Sequence, residues 1–276
     1  MIKNILVVAN KEKNIPADAI DELVCRIEKA GSKASVCGFI DKNADLSQVE
    51  LLVVLGGDGT IIEAARSTAG LDIPIFGINY GKVGYLADAE SNEESLIESV
   101  LRGDCRVERR MTLDVTVLRG GRVIVCGYHA LNDVVLSNGP VPRLLSYELY
   151  CNGELAQSIR SDGMVVATPT GSSAYSMSAG GPVVDPEMSC IVATPICPHS
   201  LHIRPVVFKG NSILEIKNAK CRTNKIYLSV DGKETAEIKD GDTIRIEKSS
   251  ISVPLVKVKN QGFLKVLFTK LSDRDA

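Results

Sequence analysis

The chain has 276 residues, 45% of them apolar and 24% charged, which is enough for one or two domains with buried cores and too apolar for a disordered chain. Thirty-two basic and 34 acidic side chains leave a net charge of -2. That balance excludes a dedicated nucleic-acid or membrane-surface binder, whose partners demand a basic field, and points to small molecules instead.

Residues 1–110 alternate apolar runs with helix-like stretches. Ile5 to Ala9 reads as a buried strand, Ala17 to Ala30 as a helix ended by Gly31, and Lys33 to Phe39 as a second strand. Leu51 to Leu55 is another buried strand, followed by a glycine-rich turn and a helical face made by Ile61, Ala64, Ala65 and Thr68. Ile73 to Ile78 precedes a second glycine-rich turn, and a helix from about Glu93 to Arg102 stops at Gly103. This βαβ rhythm predicts an α/β domain over 1–110.

From Met111 the runs become β-branched and are broken by turns. Strands are predicted over Leu113 to Leu118, Val123 to Tyr128, Val134 to Leu136, Tyr147 to Cys151, Val165 to Ala167, Ile191 to Ala193, Ser212 to Ile216, Ile226 to Val230 and Thr243 to Glu247. Gly120-Gly121 and Asn152-Gly153 are hairpin turns. A β-rich domain is therefore expected over 111–250. A strand and amphipathic helix over Ser252 to Lys270 make 251–276 a segment returning to the first domain.

The longest apolar runs stop far short of the roughly 20 residues that cross a bilayer, and no signal-peptide hydrophobic region opens the chain, so a cytoplasmic protein with no membrane partner is expected. The eight cysteines lack zinc-knuckle spacing and read as reduced thiols. His199 and His202 stand among Pro195, Pro198 and Pro205, which argues against a helical two-histidine metal site. No metal ligands are assigned.

Gly56-Gly57-Asp58-Gly59-Thr60 lies between a buried strand and a helix. Glycines let a backbone approach closely, amides at a helix start attract phosphate oxygens, and Thr60 is placed to cap the helix. The spacing is neither that of a P-loop nor that of GxGxxG. Asp58 would repel phosphate unless it has chemistry to perform, such as accepting a proton from an attacking hydroxyl or helping to hold magnesium. The competing reading is a tight turn with a solvent-facing carboxylate.

Ser161-Asp162-Gly163 leads through a strand into TPTGSSAYSMSAGGP, Thr168 to Pro182, with seven hydroxyl side chains between proline and glycine breaks. Such a segment suits a polar ligand lying close to the backbone, and Tyr175 is able to stack on a heteroaromatic ring; a serine-rich connector is the plainer reading. Asn132-Asp133 offers an amide and a carboxylate for vicinal ribose hydroxyls, or a strand-start turn. Asn79-Tyr80-Gly81 with Gly84-Tyr85-Leu86 makes a further flexible turn at a strand end. Asp231-Gly232 reads first as a β-turn and Lys233 as a solvated charge.

Together GGDGT, Asn132-Asp133, the Asp162 to Pro182 segment and PHSLHIRP at Pro198 to Pro205 resemble the NAD kinase family over nearly the whole chain. GGDGT alone also occurs in lipid kinases of the diacylglycerol and sphingosine type; the TPTGSSAYSMSAGGP segment is similar to NAD kinases specifically. The resemblance implies a Rossmann-like domain, a β-sandwich-like second domain, an active site in the crevice between them and a homotetramer. It implies transfer of the γ-phosphoryl of ATP, or of polyphosphate, to the 2′-hydroxyl of the adenosine ribose of NAD, with a divalent metal such as magnesium. By the same resemblance Asp58 is the base, Gly57 and Gly59 form the phosphate turn, and Tyr85 lies near the adenine. Asn132 and Asp133 match an Asn-Glu pair on the adenosine, with Asp133 shorter in reach than the family's Glu but of the same charge. Asp162 matches a carboxylate that contacts NAD, Arg160 resembles the basic residue found in NAD-preferring members, and Thr170, Ser173, Ala174, Tyr175 and Ser178 match the loop cradling the two ends of NAD. Lys233 stands where relatives carry Gln or His. A lipid kinase and a non-catalytic NADP-sensing protein are the alternatives.

Overall fold

The structure, a computed structural model, describes residues 2–275 except 11, 42, 82–83, 139–143 and 222–224. In chain order the elements are β1 (Asn4–Ala9), α1 (Ala17–Lys29), β2 (Lys33–Cys37), β3 (Leu51–Gly56), α2 (Asp58–Ser67), β4 (Ile75–Asn79), β5 (Ala89–Glu90), α3 (Leu96–Arg102), β6 (Arg106–Arg119), β7 (Arg122–Ala130), β8 (Asp133–Asn138), β9 (Leu145–Cys151), β10 (Glu154–Ser161) and β11 (Gly163–Ala167). A 3₁₀ turn (Thr170–Ser173) and α4 (Tyr175–Ser178) follow, then β12 (Cys190–Ile196), β13 (Val206–Lys209), β14 (Leu214–Lys220), β15 (Ile226–Val230), β16 (Lys233–Ile238), β17 (Asp242–Lys257) and α5 (Phe263–Asp275). Two compact units are formed, one from Met1–Arg110 with Ser252–Ala276 and one from Met111–Ile251, so β6 and β17 each contribute residues to both.

In the first unit, β2, β1, β3 and β4 pair side by side in parallel, and Leu255 of β17 joins opposite Ile75. Parallel strands covered by helices are buried on both faces, which is why β3 and β4 are buried throughout and read as unbroken apolar runs. Leu23 and Ile27 of α1 and Ile97 and Val100 of α3 pack with Val7, Val53, Phe76 and Val256 in one core. Gly103 ends α3 in the left-handed conformation (φ 85°) that glycine adopts at no steric cost.

The second unit is antiparallel. One six-stranded sheet runs β13-β12-β11-β8-β15-β16, while β10, β9, β14 and β17 pair in that order and β6 pairs with β7. Leu113, Leu136, Tyr147, Val166, Leu214, Leu228 and Ile246 belong to the core shared by these strands. A smaller cluster formed by Val135, Val165, Ala167, Val184, Cys190 and Val192 takes the alternate residues of β8, β11 and β12. Both faces of β11 are thereby buried, although its neighbours are antiparallel. Positive φ at both central residues, as a type I′ hairpin requires, occurs at Gly120-Gly121, Asn152-Gly153 and Asp231-Gly232.

The strands β5, β10, β13 and β16 are not among the predicted elements. They are short or polar, and β10 exposes most of its residues, so their apolar alternation is weak; β10 and β16 are carried by antiparallel pairing with β9 and β15. No helix among the described residues is long and apolar enough to cross a membrane, and all eight cysteines are free thiols.

Phe76 is fully buried in the first core. Phe76→Ala is expected to lower the unfolding free energy of that unit by about 3–5 kcal/mol, read by urea denaturation followed with far-UV circular dichroism.

Candidate active site

Parallel pairing sets Gly56 opposite Asn79, so the GGDGT turn and the NYG turn leave the same carboxyl edge of the sheet, the edge where open α/β sheets bind ligands. The helix begins earlier than its apolar face implies: Gly57 is the N-cap and Asp58 the first helical residue. Thr60 does not cap it. Its Oγ1 instead accepts a hydrogen bond from Asn10 Nδ2 at 3.0 Å, and Gly56 must lack a Cβ because Thr60 fills that space.

The Asp58 carboxylate is held by backbone amides. Tyr85 N lies 2.9 Å from both oxygens and Leu86 N 3.0 Å from Oδ1. Tyr85 thus meets Asp58 through its amide. Gly84 makes this approach possible, since a Cβ there would stand 3.2 Å from Asp58 Oδ1 and 3.1 Å from Asn79 Oδ1. Asn79, itself buried, anchors the turn by accepting from Gly81 N (2.9 Å) and donating to Glu90 (2.8 Å). Behind it the buried Lys257 donates to the Leu86 carbonyl at 3.0 Å, and Asp88 accepts from the amides of Val258 and Lys259. Asn79 and Lys257 are supports that periodicity alone conceals, because in sequence each is one polar residue in a strand. Gly57 and Gly59 flank Asp58 at the helix start, Gly59 exposed.

In the second unit Asn132 and Asp133 open β8, with Asp133 opposite Ala167 of β11. Their backbone is tied on both sides. Asp231 accepts hydrogen bonds from the amides of Leu131 (2.9 Å), Asn132 (2.8 Å) and Asp133 (3.0 Å). Thr168 donates its hydroxyl to the Leu131 carbonyl at 2.6 Å and its amide to the Asn132 carbonyl at 2.9 Å. Gly171 packs on the Asn132 peptide so closely that any Cβ would overlap its carbonyl. Thr170 therefore lies beside the Asn132-Asp133 corner.

The seven hydroxyls of the Thr168 to Pro182 segment divide into three sets. Thr168, Ser172, Ser173 and Ser176 are buried and bonded within the protein, Ser172 to Pro169 and Val184, Ser173 to the Thr170 carbonyl and Ser176 to Thr194. Tyr175 and Ser178 are exposed and Ala174 half-buried. The Thr170 hydroxyl is buried without a hydrogen-bond partner in the protein. The segment is thus part scaffold and part surface, which its composition alone does not separate.

Arg160 and Asp162 lie at the other end of β11, because Gly163 pairs with Ser137 and Ala167 with Asp133. Five strand residues at roughly 3.4 Å each put about 17 Å between Asp162 and the Asn132-Asp133 corner. Arg160 is exposed and accepts His199 N through its carbonyl, which joins the PHSLHIRP run to this end. Lys233 is exposed beside the Asp231-Gly232 turn. A groove of about 1230 Å³ lined by Cys25, Arg26, Glu98 and Cys105 contains none of the predicted site residues.

Asp133 differs from the expectation that it simply keeps the charge of a glutamate. Burial, and secondarily the Asp231 carboxylate, push its pKa up to about 7. The folded state therefore holds a proton that the unfolded chain releases near pH 4, and ionising Asp133 costs stability progressively as pH rises from about 4 to 7.

The first unit thus presents a glycine-flanked carboxylate at a helix start, and the second a partly exposed, hydroxyl-bearing loop. The ATP-NAD kinase N-terminal domain family matches residues 9–105 and the ATP-NAD kinase C-terminal domain family residues 131–258. An NAD kinase of Natranaerobius thermophilus is 40% identical over 248 residues, covering 89% of this chain and 82% of the relative. That of Acetivibrio thermocellus is 35% identical over 280 residues, covering 97% and 96%. Among solved structures, yeast NADH kinase complexed with NADH superimposes with a TM-score of 0.84 at 25% identity, over 100% of this chain and 89% of that one. An NAD kinase from Archaeoglobus fulgidus in complex with ATP gives 0.79 at 27%, over 98% and 99%. The chain belongs to the NAD kinase family, and neither the lipid kinase nor the sensing-protein alternative is favoured.

Asp133→Asn mimics the protonated acid. It is expected to raise thermal stability at pH 8 by an amount on the order of a few kcal/mol at most, and to leave stability near pH 4 almost unchanged, when melting is followed across that range.

Proposed function

We infer that the protein is an ATP-dependent NAD kinase in which Asp58 directs the 2′-hydroxyl of the adenosine ribose to the γ-phosphorus of ATP. The observation that carries this reading is the Asp58 carboxylate, fixed by the Tyr85 and Leu86 amides at the start of α2. The bond from the ribose oxygen to phosphorus forms as the bond to the β-phosphate bridging oxygen breaks. ADP leaves and the hydroxyl proton passes to Asp58. Phosphoryl transfer of this kind rests on positioning and charge neutralisation, so no covalent enzyme intermediate is needed. The Gly57 and Gly59 backbone with the α2 N-terminus receives phosphate oxygens. ATP as donor is supported by the Archaeoglobus complex.

Asn132 and Asp133 hold the adenosine portion of NAD. Thr170, Ser173, Ala174, Tyr175 and Ser178 form the loop against the dinucleotide, with the exposed Tyr175 ring as a stacking surface and the buried Thr170 hydroxyl as a polar contact. Arg160 and Asp162, a strand length away, serve the end of the dinucleotide remote from the adenosine, and Tyr85 lies near the adenine. Among the described residues no group of three or more His, Cys, Asp or Glu is arranged to hold a metal ion. Magnesium is taken as part of the substrate, entering on the ATP phosphates, as this ion commonly does in kinases. A cytoplasmic homotetramer is the working assembly that the family resemblance implies.

Two variants test the assignment. Asp58→Asn is expected to lower kcat by about 10²–10⁴-fold while NAD affinity stays within about twofold. Tyr175→Ala is expected to raise KM for NAD about tenfold with little change in kcat. Both are read with magnesium-ATP, NAD and an NADP-specific coupled dehydrogenase; full turnover in Asp58→Asn removes that residue from its role.

A further inference from the structure

Asp231 is more than the first residue of a hairpin turn. It has positive φ (47°) next to Gly232 (75°), a pattern that Asn-Gly satisfies at least as well. The same unit supplies the comparison: Asn152-Gly153 makes such a turn with φ of 51° and 85°. The turn geometry alone therefore does not call for a carboxylate at 231. What the carboxylate adds is reach to a segment about a hundred residues earlier in the chain, where both of its oxygens are occupied by the three consecutive amides of Leu131, Asn132 and Asp133. The Asp231 amide in turn donates to the Asp133 carbonyl at 2.9 Å.

With Thr168 taking the carbonyls of Leu131 and Asn132, every backbone donor and acceptor of residues 131–133 has a partner from one of two segments. Three amides converging on one carboxylate are charge-assisted bonds, stronger than the neutral contacts of an ordinary turn. The arrangement also has a cost. It sets a second acidic group near the buried Asp133, an unfavourable neighbour that a neutral residue at 231 would avoid.

We propose that Asp231 is a positioning residue for nucleotide recognition, holding the 131–133 peptide in the one conformation that presents Asn132 and Asp133 to the adenosine ribose. This rests on the NAD kinase reading above. The contacts seen for the Asp231 carboxylate are with backbone amides. It acts through the backbone of Asn132 and Asp133, and Thr168 and Gly171 brace the same peptide from its other side.

The test is Asp231→Asn, which keeps a good type I′ residue but turns an amide donor toward the Leu131 N–H. Three quantities are measured: amide hydrogen exchange at residues 131–133, the Kd for NAD by calorimetry, and kcat with the KM for ATP. Faster exchange at those amides with NAD Kd raised about tenfold, and KM for ATP unchanged, supports the proposal. A merely structural defect would reduce the active fraction without this split. An unchanged Kd for NAD in a variant of native stability overturns it. Thr168→Val, which loosens the same peptide without touching the turn, is expected to weaken NAD binding in the same way and serves if Asp231→Asn does not fold; unchanged NAD affinity there counts equally against the proposal. A wild-type protein that binds NAD yet forms no NADP contradicts the kinase reading instead, and the affinity comparison still decides the role of Asp231.

Discussion

Backbone amides ending on a carboxylate are the constraint on which both halves of this protein rely. At Asp58 the amides of Tyr85 and Leu86 fix a charged side chain at the start of a helix. At Asp231 the amides of residues 131–133 fix the segment that opens β8. In each case the charge lies on a short, stiff side chain and the donors lie on a turn remote in sequence, so folding itself delivers the geometry. An acid on a long side chain would offer the same chemistry with more freedom to lose on ordering. Such pre-paid order suits a reaction whose difficulty lies in holding two anionic partners in line.

The first of these arrangements depends on parallel pairing. Because Gly56 faces Asn79 across β3 and β4, the two glycine-rich turns emerge together. Asn79, Glu90 and Lys257 then fix the second turn against Asp58. Gly56 and Gly84 are needed for space: side chains there would press on Thr60 and on Asp58. Gly56 and Gly84 thus serve the protein's own packing around the carboxylate.

Much of this was open to reading in the sequence. Buried parallel strands announce themselves as apolar runs, and β1, β3 and α1 lie within a residue or so of their predicted bounds. The hairpin pairs Gly120-Gly121 and Asn152-Gly153 were equally plain, since positive φ restricts the choice of residue. Asp58 and Tyr175 are marked by their place in glycine- and serine-rich segments, and Asn132 by its pairing with Asp133 before an apolar run, each beside a plainer reading as a turn or connector. Harder to see were contacts with no local signature. Asp231 looks like any Asp-Gly turn until its partners, 98 to 100 residues away, are known. Lys257 looks like the polar phase of a strand, yet it is buried against the Leu86 carbonyl. The helix start is hidden because Asp58 and Gly59 are poor helix formers whose place is set by the N-cap at Gly57. Asp133 illustrates the same limit in electrostatics, for its raised pKa comes from burial and a distant acid rather than from its neighbours in sequence.

The proposed function asks one fixed carboxylate to select one hydroxyl of NAD, so the regiochemistry of transfer is its most direct readout. Phosphorus NMR of the product formed from stoichiometric magnesium-ATP and NAD measures this directly. The account predicts a single new phosphomonoester on the 2′-oxygen of the adenosine ribose, appearing in step with ADP. Phosphate released to water with NAD unchanged, or a phosphoryl group found on any other hydroxyl, would contradict it.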